Sequence, residues 1–251
     1  MMENIIEVRD LKKVYGRGEK STVALKGINF SVPEGEIFGL LGPNGAGKST
    51  TLNILIGLLS PTSGKITIFG KNFFKNESEI KNKMNIATAY ADLAGNLSVY
   101  RNLKVFALMY GVKNHKNKIE ELLKKFQITD LRDKIITDLS AGQKTRVNLC
   151  KSLINDPELL LLDEPTASLD PAIAAHVREM LLDIQKKRKL TVIFTSHNML
   201  EVETMCDRVA LLHKGEIYKI DTPENLKKFL EVESMEEVFI KLAKGELESD
   251  E

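Results

Sequence analysis

Gly42, Gly47, Lys48 and Ser49 stand in the order G-x-x-x-x-G-K-[ST] inside the stretch IFGLLGPNGAGKSTTLNILIGLL, residues 37–59. Each residue type has a chemical reason at that spacing. Glycines let the backbone N–H groups of a tight loop wrap phosphates, the lysine supplies a mobile positive charge, and the serine hydroxyl faces Mg²⁺. Pro43, Asn44, Gly45 and Ala46 fill the loop, and Thr50 follows the serine into a helix whose positive end adds to the anion site. The flanks agree, because Ile37 to Leu41 read as a short buried strand and Leu52, Leu55 and Ile56 recur at helical spacing. An ordinary glycine turn is the alternative, and it does not explain a strand on one side and an apolar helix on the other.

Other residues suit the same chemistry. ELLLLDEP at 158–165 is an apolar run ending in two acids, which suits a strand buried on both faces of a parallel sheet. Carboxylates at the C-terminal end of such a strand lie where α/β sheets bind ligands. Asp163 would then approach the Mg²⁺ at Ser49 while Glu164 polarises an attacking water; the alternative is an acid pair capping a helix. LTVIFTSHN repeats the scheme, with His197 at the strand end as a candidate γ-phosphate contact or an ordinary surface histidine. LSAGQ at 139–143 precedes a helix with Val147, Leu149, Cys150 and Leu153 on its apolar side; alone this is a weak signal, and Ser140 is a good N-cap type. Tyr15, in KKVYGRG, can stack on a purine or pack on an edge, and spacing alone favours packing. His115, His176 and His213 have no comparable placement.

These residues need elements to position them. The 251-residue length accommodates one large α/β domain or a core with a subdomain. Residues 5–10 and 22–32 read as antiparallel strands, KITIFG as another short strand, and RVALLHKGEIYKI as a hairpin around Lys214 and Gly215. From Lys71 the composition changes, and helical periodicity through Val105, Leu108 and Met109 points to an inserted helical subdomain. Lys113 to Lys125 reads as a solvated helix face. A further helix starts around Ala167 to Pro171, and Thr222 and Pro223 start an amphipathic tail ending in acidic ELESDE, expected to fray. No internal repeat or long linker is visible.

Bulk charge excludes some partners. With 36 basic and 35 acidic residues the net charge is +1, which gives no global footprint for nucleic acid or an anionic membrane. The apolar runs are short and the N-terminus lacks a basic region followed by an apolar core, so neither a span nor a signal peptide is expected. Cys150 and Cys206 have no metal spacing and read as reduced structural thiols.

GPNGAGKST at 42–50, LSAGQ at 139–143, LLLLDEP at 159–165, SLD at 168–170 and His197 in TSHNM occur in one order. With these motifs the chain resembles, over nearly its whole length, the ATP-binding subunit of ATP-binding cassette (ABC) transporters. The resemblance implies a RecA-like P-loop NTPase core of mixed, largely parallel sheet with an antiparallel β-subdomain and an inserted α-helical subdomain. It places one ABC ATPase domain at 1–240, with core at 1–90 and 155–225 and helical subdomain at 91–154, and a helical tail at 222–251. It implies ATP and Mg²⁺ as cofactors and reverses the reading of Tyr15, which matches the aromatic that stacks on adenine. Lys48, Ser49 and Thr50 would bind phosphates and magnesium, Asp163 the metal shell, Glu164 would be the catalytic carboxylate and His197 the switch histidine. In the family two such subunits face each other head to tail, so Ser140, Gly142 and Gln143 of one chain would complete the site of the other, with Asp170 at the same seam.

Two features depart from the family pattern. Ala141 replaces the first glycine of the usual LSGGQ, which leaves the backbone donor in place. The family's coupling glutamine is missing from ATAYADLAGNLSVYRNL, where Asp92 lies near its place. Tyr90 to Leu97 is expected to line the groove that receives a helix of a separate membrane permease. The partners implied are that permease and a second ATPase chain, identical or related, with the chain peripheral on the cytoplasmic face of the membrane and no nucleic acid expected. The loop region and the tail ESMEEVFIKLAKGE look most like export-type subunits for drugs, lipids or polysaccharides. The competing readings are a soluble ABC ATPase outside transport, such as an assembly scaffold or repair factor, and a P-loop GTPase or kinase, which would have no use for LSAGQ.

Overall fold

In the computed structural model, which describes residues 4–88 and 93–246, the chain forms two units: residues 1–80 with 191–251, and residues 81–190. The first unit begins with β1 (Asn4–Tyr15) and β2 (Thr22–Pro33), paired antiparallel with Ile6 opposite Val32 and Val8 opposite Phe30. Ile6, Val8, Leu11, Leu25, Ile28, Phe30 and Val32 are all buried, as alternation along a half-buried strand requires. The sequence reading stops the first strand at residue 10, whereas β1 continues to Tyr15. Asp10 takes a left-handed conformation (φ +45°) as a bulge, and Asn29 Oδ1 accepts its N–H at 2.8 Å. The bulge breaks the two-residue period, which hides the second half of the strand from a pattern search.

β3 (Ile37–Leu41) is buried at every residue, and α1 (Lys48–Leu55) follows it. β4 (Ser63–Ile68) and the two-residue β5 (Lys71–Asn72) complete a sheet of order β2-β1-β4-β5, and α2 (Glu77–Asn82) ends this stretch.

In the second unit, β6 (Met84–Thr88) and β7 (Leu159–Asp163) run parallel in unbroken register from Met84 opposite Leu159 to Thr88 opposite Asp163. Around them lie α3 (Val99–Met109), α4 (His115–Lys125), α5 (Ala141–Ser152) and α6 (Pro171–Arg188). The helix expected through Val105, Leu108 and Met109 is present as α3, but these three lie on its open side, 46%, 56% and 74% exposed. Its buried side is Val99, Asn102, Leu103 and Ala107. Asn102 fixes that choice: it accepts from the Ala94 N–H and donates to the Ala94, Leu97 and Ser98 carbonyls, satisfying a loop that would otherwise hold unpaired backbone groups.

Asp156 joins α4 to α6 by accepting from Lys118 at 2.6 Å and pairing with Arg188. Burial pushes its carboxyl up, but the hydrogen bonds and charges of Lys118 and Arg188 outweigh that and hold it below the usual range. A carboxyl that binds its proton less readily folded than unfolded stabilises the fold above its unfolded pKa, near 3.9, and loses that contribution as pH falls through the lower folded value. Asp156→Asn is therefore expected to lower the denaturation midpoint at pH 7, with the gap to the parent chain closing below about pH 4.

The chain then returns to the first unit through β8 (Thr191–Thr195), α7 (Met199–Met205), the hairpin β9 (Arg208–His213) and β10 (Glu216–Asp221), α8 (Pro223–Phe229) and α9 (Met235–Lys244). β3 lies between β8 and β9 and parallel to both, with Gly39 opposite Phe194 and Leu41 opposite Leu211, and β10 pairs antiparallel outside β9. The hairpin turn has both central residues left-handed, Lys214 at φ +46° and Gly215 at φ +81°, the pattern that suits strand twist. Gly215 N–H donates to the Ala46 carbonyl at 3.0 Å, and its carbonyl accepts from Lys26 N–H at 2.9 Å. The turn thus fastens the back of the glycine loop to β2. Among the described residues, no helix is long and apolar enough to cross a membrane.

Candidate functional site

The glycine loop leaves the buried end of β3 and enters α1 at Lys48, so the first-turn amides of α1 open toward whatever the loop encloses. Gly47, the residue before the helix, sits at φ +114°, and a Cβ there would stand 2.7 Å from Leu25 Cδ2 and 3.0 Å from the Ala24 carbonyl. A Cβ on Gly42 would lie 2.1 Å from the Leu212 carbonyl, so both motif glycines are required by close backbone approach. Lys48 Nζ donates back to the Gly42 carbonyl and to the Pro43 carbonyl at 3.2 Å, which poises the ammonium over the loop. Pro43, Asn44 and Gly45 form its rim, while Ala46 is buried beneath it. The Ser49 side chain is exposed in the first turn of α1, with Thr50 half-buried beside it.

Two more candidates lie in this unit, on different sheets. Tyr15 closes β1, 41% exposed, with its hydroxyl 3.4 Å from Thr50 Oγ1 and its ring 5.2 Å from Lys13 Nζ. An exposed ring against the residue after the lysine–serine pair is where an aromatic can meet a nucleotide base. His197 follows β8, the parallel neighbour of β3, so the loop and the histidine emerge from adjacent strands at their C-terminal ends. Its backbone is set by a small network: Ser196 Oγ donates to buried Glu201 Oε2 at 2.9 Å and accepts from Asn198 N–H at 3.0 Å, and Asn198 caps α7. The imidazole is exposed and meets the Phe239 ring edge to face at 6.4 Å between centroids.

The second unit carries the remaining candidates. Asp163 is the last residue of β7, half-buried and opposite Thr88. Glu164 follows at φ +53°, a left-handed conformation that a non-glycine residue holds only where surroundings impose it, and a frequent mark of functional sites. Ser140 caps α5 in a reciprocal box: its Oγ accepts from Gln143 N–H at 3.3 Å, and Gln143 Oε1 accepts from Ser140 N–H at 2.9 Å. The Gln143 side chain is therefore held by the cap, whereas the exposed Ser140 hydroxyl keeps its own hydrogen to donate. A Cβ on Gly142 would lie 2.9 Å from the Ser168 carbonyl, which explains glycine there; Ala141 is exposed, which explains why its methyl is accommodated. Asp170 caps α6 by accepting from Ile173 N–H at 3.1 Å, one residue before Pro171, so the helix starts later than Ala167. Tyr90 and Asp92 lie outside the described residues.

The Ser49 hydroxyl in the first unit and the Asp163 carboxylate in the second are each a hard oxygen of the kind that suits Mg²⁺. Among the described residues no group of three or more His, Cys, Asp or Glu could hold a metal by itself. Residues 25–167 match the model of the ABC transporter family, more than half of the chain.

This chain belongs to the ABC transporter family. It is 37% identical to the bacitracin transport ATP-binding protein of Bacillus licheniformis over 90% of its own length and 72% of the relative's. It is also 37% identical to a fluoroquinolones export ATP-binding protein of Mycobacterium tuberculosis, over 89% and 72% of the two chains. Its fold matches that of a dimeric ATP-binding cassette solved in a post-hydrolysis state with ADP and phosphate, with a TM-score of 0.79 and 25% identity over 86% of this chain and 98% of that one. The chain is thus an ABC ATPase, the ATP-binding subunit that powers a transporter. In this ABC ATPase the contact of Phe239 with His197 and the Ser196–Glu201 pair beside it are features that motif reading passed over, since no motif covers the tail and a serine–glutamate bond five residues apart leaves no periodic trace.

Proposed function

We propose that this ABC ATPase powers an exporter by closing two copies of itself head to tail around ATP and reopening on hydrolysis. The observation that carries the reading is the emergence of the lysine loop and His197 from the adjacent parallel strands β3 and β8, which gathers phosphate-binding groups at one sheet edge. Tyr15 stacks on the base; the loop from Gly42 to Thr50 cradles the phosphates, with Lys48 on the terminal ones. Mg²⁺, held by Ser49 and Asp163, would supply charge neutralisation at the β- and γ-oxygens. Glu164 accepts a proton from the attacking water, and His197 donates to the γ-phosphate as charge builds.

Ser140 and Gly142 of the opposite copy complete each site, since an exposed hydroxyl at a helix N-terminus is an anion donor. Phosphoryl transfer needs mostly positioning and charge, so assembling the site from two chains links hydrolysis to movement. Export as the direction draws on the relative named for fluoroquinolone export and on the resemblance of the tail.

A mixing experiment tests the shared site. Lys48→Ala and Ser140→Trp chains should each be nearly inactive alone. A mixed dimer keeps one site whose loop and signature are both intact, so combining the two should restore turnover. No recovery in a mixture that still dimerises would contradict head-to-tail sharing between copies.

A further inference from the structure

The tail helix α9 reaches His197. Its inner side, Met235, Val238 and Leu242, is fully buried, Lys241 Nζ donates to the Leu230 carbonyl at 2.7 Å, and Ser234 caps its start by accepting from Glu237 N–H. A helix fixed this firmly presents a fixed rim, and Phe239, next to Val238, is half-buried on it. The Phe239 ring meets the His197 imidazole edge to face, within the range where aromatic pairs attract beyond simple burial. His197 lies in an exposed turn whose backbone the Ser196–Glu201 bond fixes.

From this geometry we infer that Phe239 is a positioning residue for hydrolysis: it bounds one side of the His197 ring and holds the imidazole in the orientation from which it meets the γ-phosphate. The inference rests on the reading of His197 as the γ-phosphate contact. A ring out of line by about an ångström weakens a bond made in the transition state far more than it weakens nucleotide binding. Phe239 thus acts on kcat and leaves KM nearly alone. It also makes the tail helix, outside the motifs that bind ATP, part of the hydrolytic apparatus.

Three variants of the 251-residue chain test this: Phe239→Leu, which keeps apolar volume and removes the ring, Phe239→Tyr, which keeps the ring, and His197→Ala. Steady-state ATPase is measured alongside the imidazole proton spectrum, in which four histidines give few enough signals for His197 to be assigned by its loss in His197→Ala. The expected result is a drop of about tenfold in kcat for Phe239→Leu with KM for ATP little changed, near-parent turnover for Phe239→Tyr, and a shift of the His197 ring signals when the neighbouring ring current is removed. Full turnover in Phe239→Leu, beside an inactive His197→Ala, would overturn the positioning role and leave the reading of His197 standing. Unmoved His197 ring signals would overturn the contact itself. Full turnover in His197→Ala would remove the reading of His197 and this inference with it.

Discussion

Glu164→Gln is expected to lower ATP turnover by about two to three orders of magnitude, about 3–4 kcal/mol in the barrier, while still binding ATP. The substitution keeps the shape and backbone preference of the side chain, so the left-handed turn after β7 carries no new strain. It removes the basic oxygen that accepts a proton from water, and with it one negative charge beside the phosphates. A cassette that closes on ATP and cannot hydrolyse it stays closed. The variant should therefore elute as a nucleotide-filled dimer with Mg-ATP present, where the parent chain passes through that state transiently. Turnover within threefold of the parent would remove Glu164 from the proton transfer.

Lys48→Ala acts earlier, at binding. Lys48 Nζ rests on the Gly42 and Pro43 carbonyls, and a phosphate oxygen offers it a charged acceptor in their place. Hydrogen bonds to charged groups are worth about 1.5–3 kcal/mol, so the loss should weaken ATP binding by about 10–100-fold. Thermal unfolding reads this directly. ATP at about a hundred times its Kd stabilises by about 2.7 kcal/mol, which for a chain of this size raises Tm by about 5–10 °C. Glu164→Gln should show that shift, and Lys48→Ala should show about half of it or less at the same ATP concentration. Equal shifts in the two variants would mean that Lys48 does not hold the phosphates.

The two effects separate because the loop and the acid come from different parts of the sequence, and that separation also decides what a sequence can reveal. The phosphate loop is legible because its residues stand together in one stretch: Gly47 needs a positive φ, and the buried strand before the loop and the helix after it carry their own patterns. The run into Asp163 and the Lys214–Gly215 hairpin are legible for the same reason, each being a strand with its own punctuation.

Contacts made by topology leave no such trace. Spacing alone set Tyr15 among turn residues, and its meeting with Thr50, 35 residues on, depends on the Asp10 bulge that extends β1. The open side of α3 was hidden because Asn102, a polar residue, is one of those buried. Phe239 reads as one apolar position of an amphipathic tail, and only the packing of α9 brings its ring to His197. Ala141 departs from the usual signature without consequence for the turn, because its side chain points into the open while Gly142 carries the tight approach to Ser168.

That this chain is the motor of a separate membrane permease is tested most directly by recovering tagged Glu164→Gln protein from detergent-solubilised native membranes in the presence of ATP and identifying what accompanies it. The closed, non-hydrolysing dimer is the state in which a transporter assembly is expected to persist. A stoichiometric partner with several membrane spans is the predicted result, and its identity would point to the class of cargo. Recovery of soluble partners alone, or of the ATPase by itself, would contradict the account and move the chain to a role outside transport.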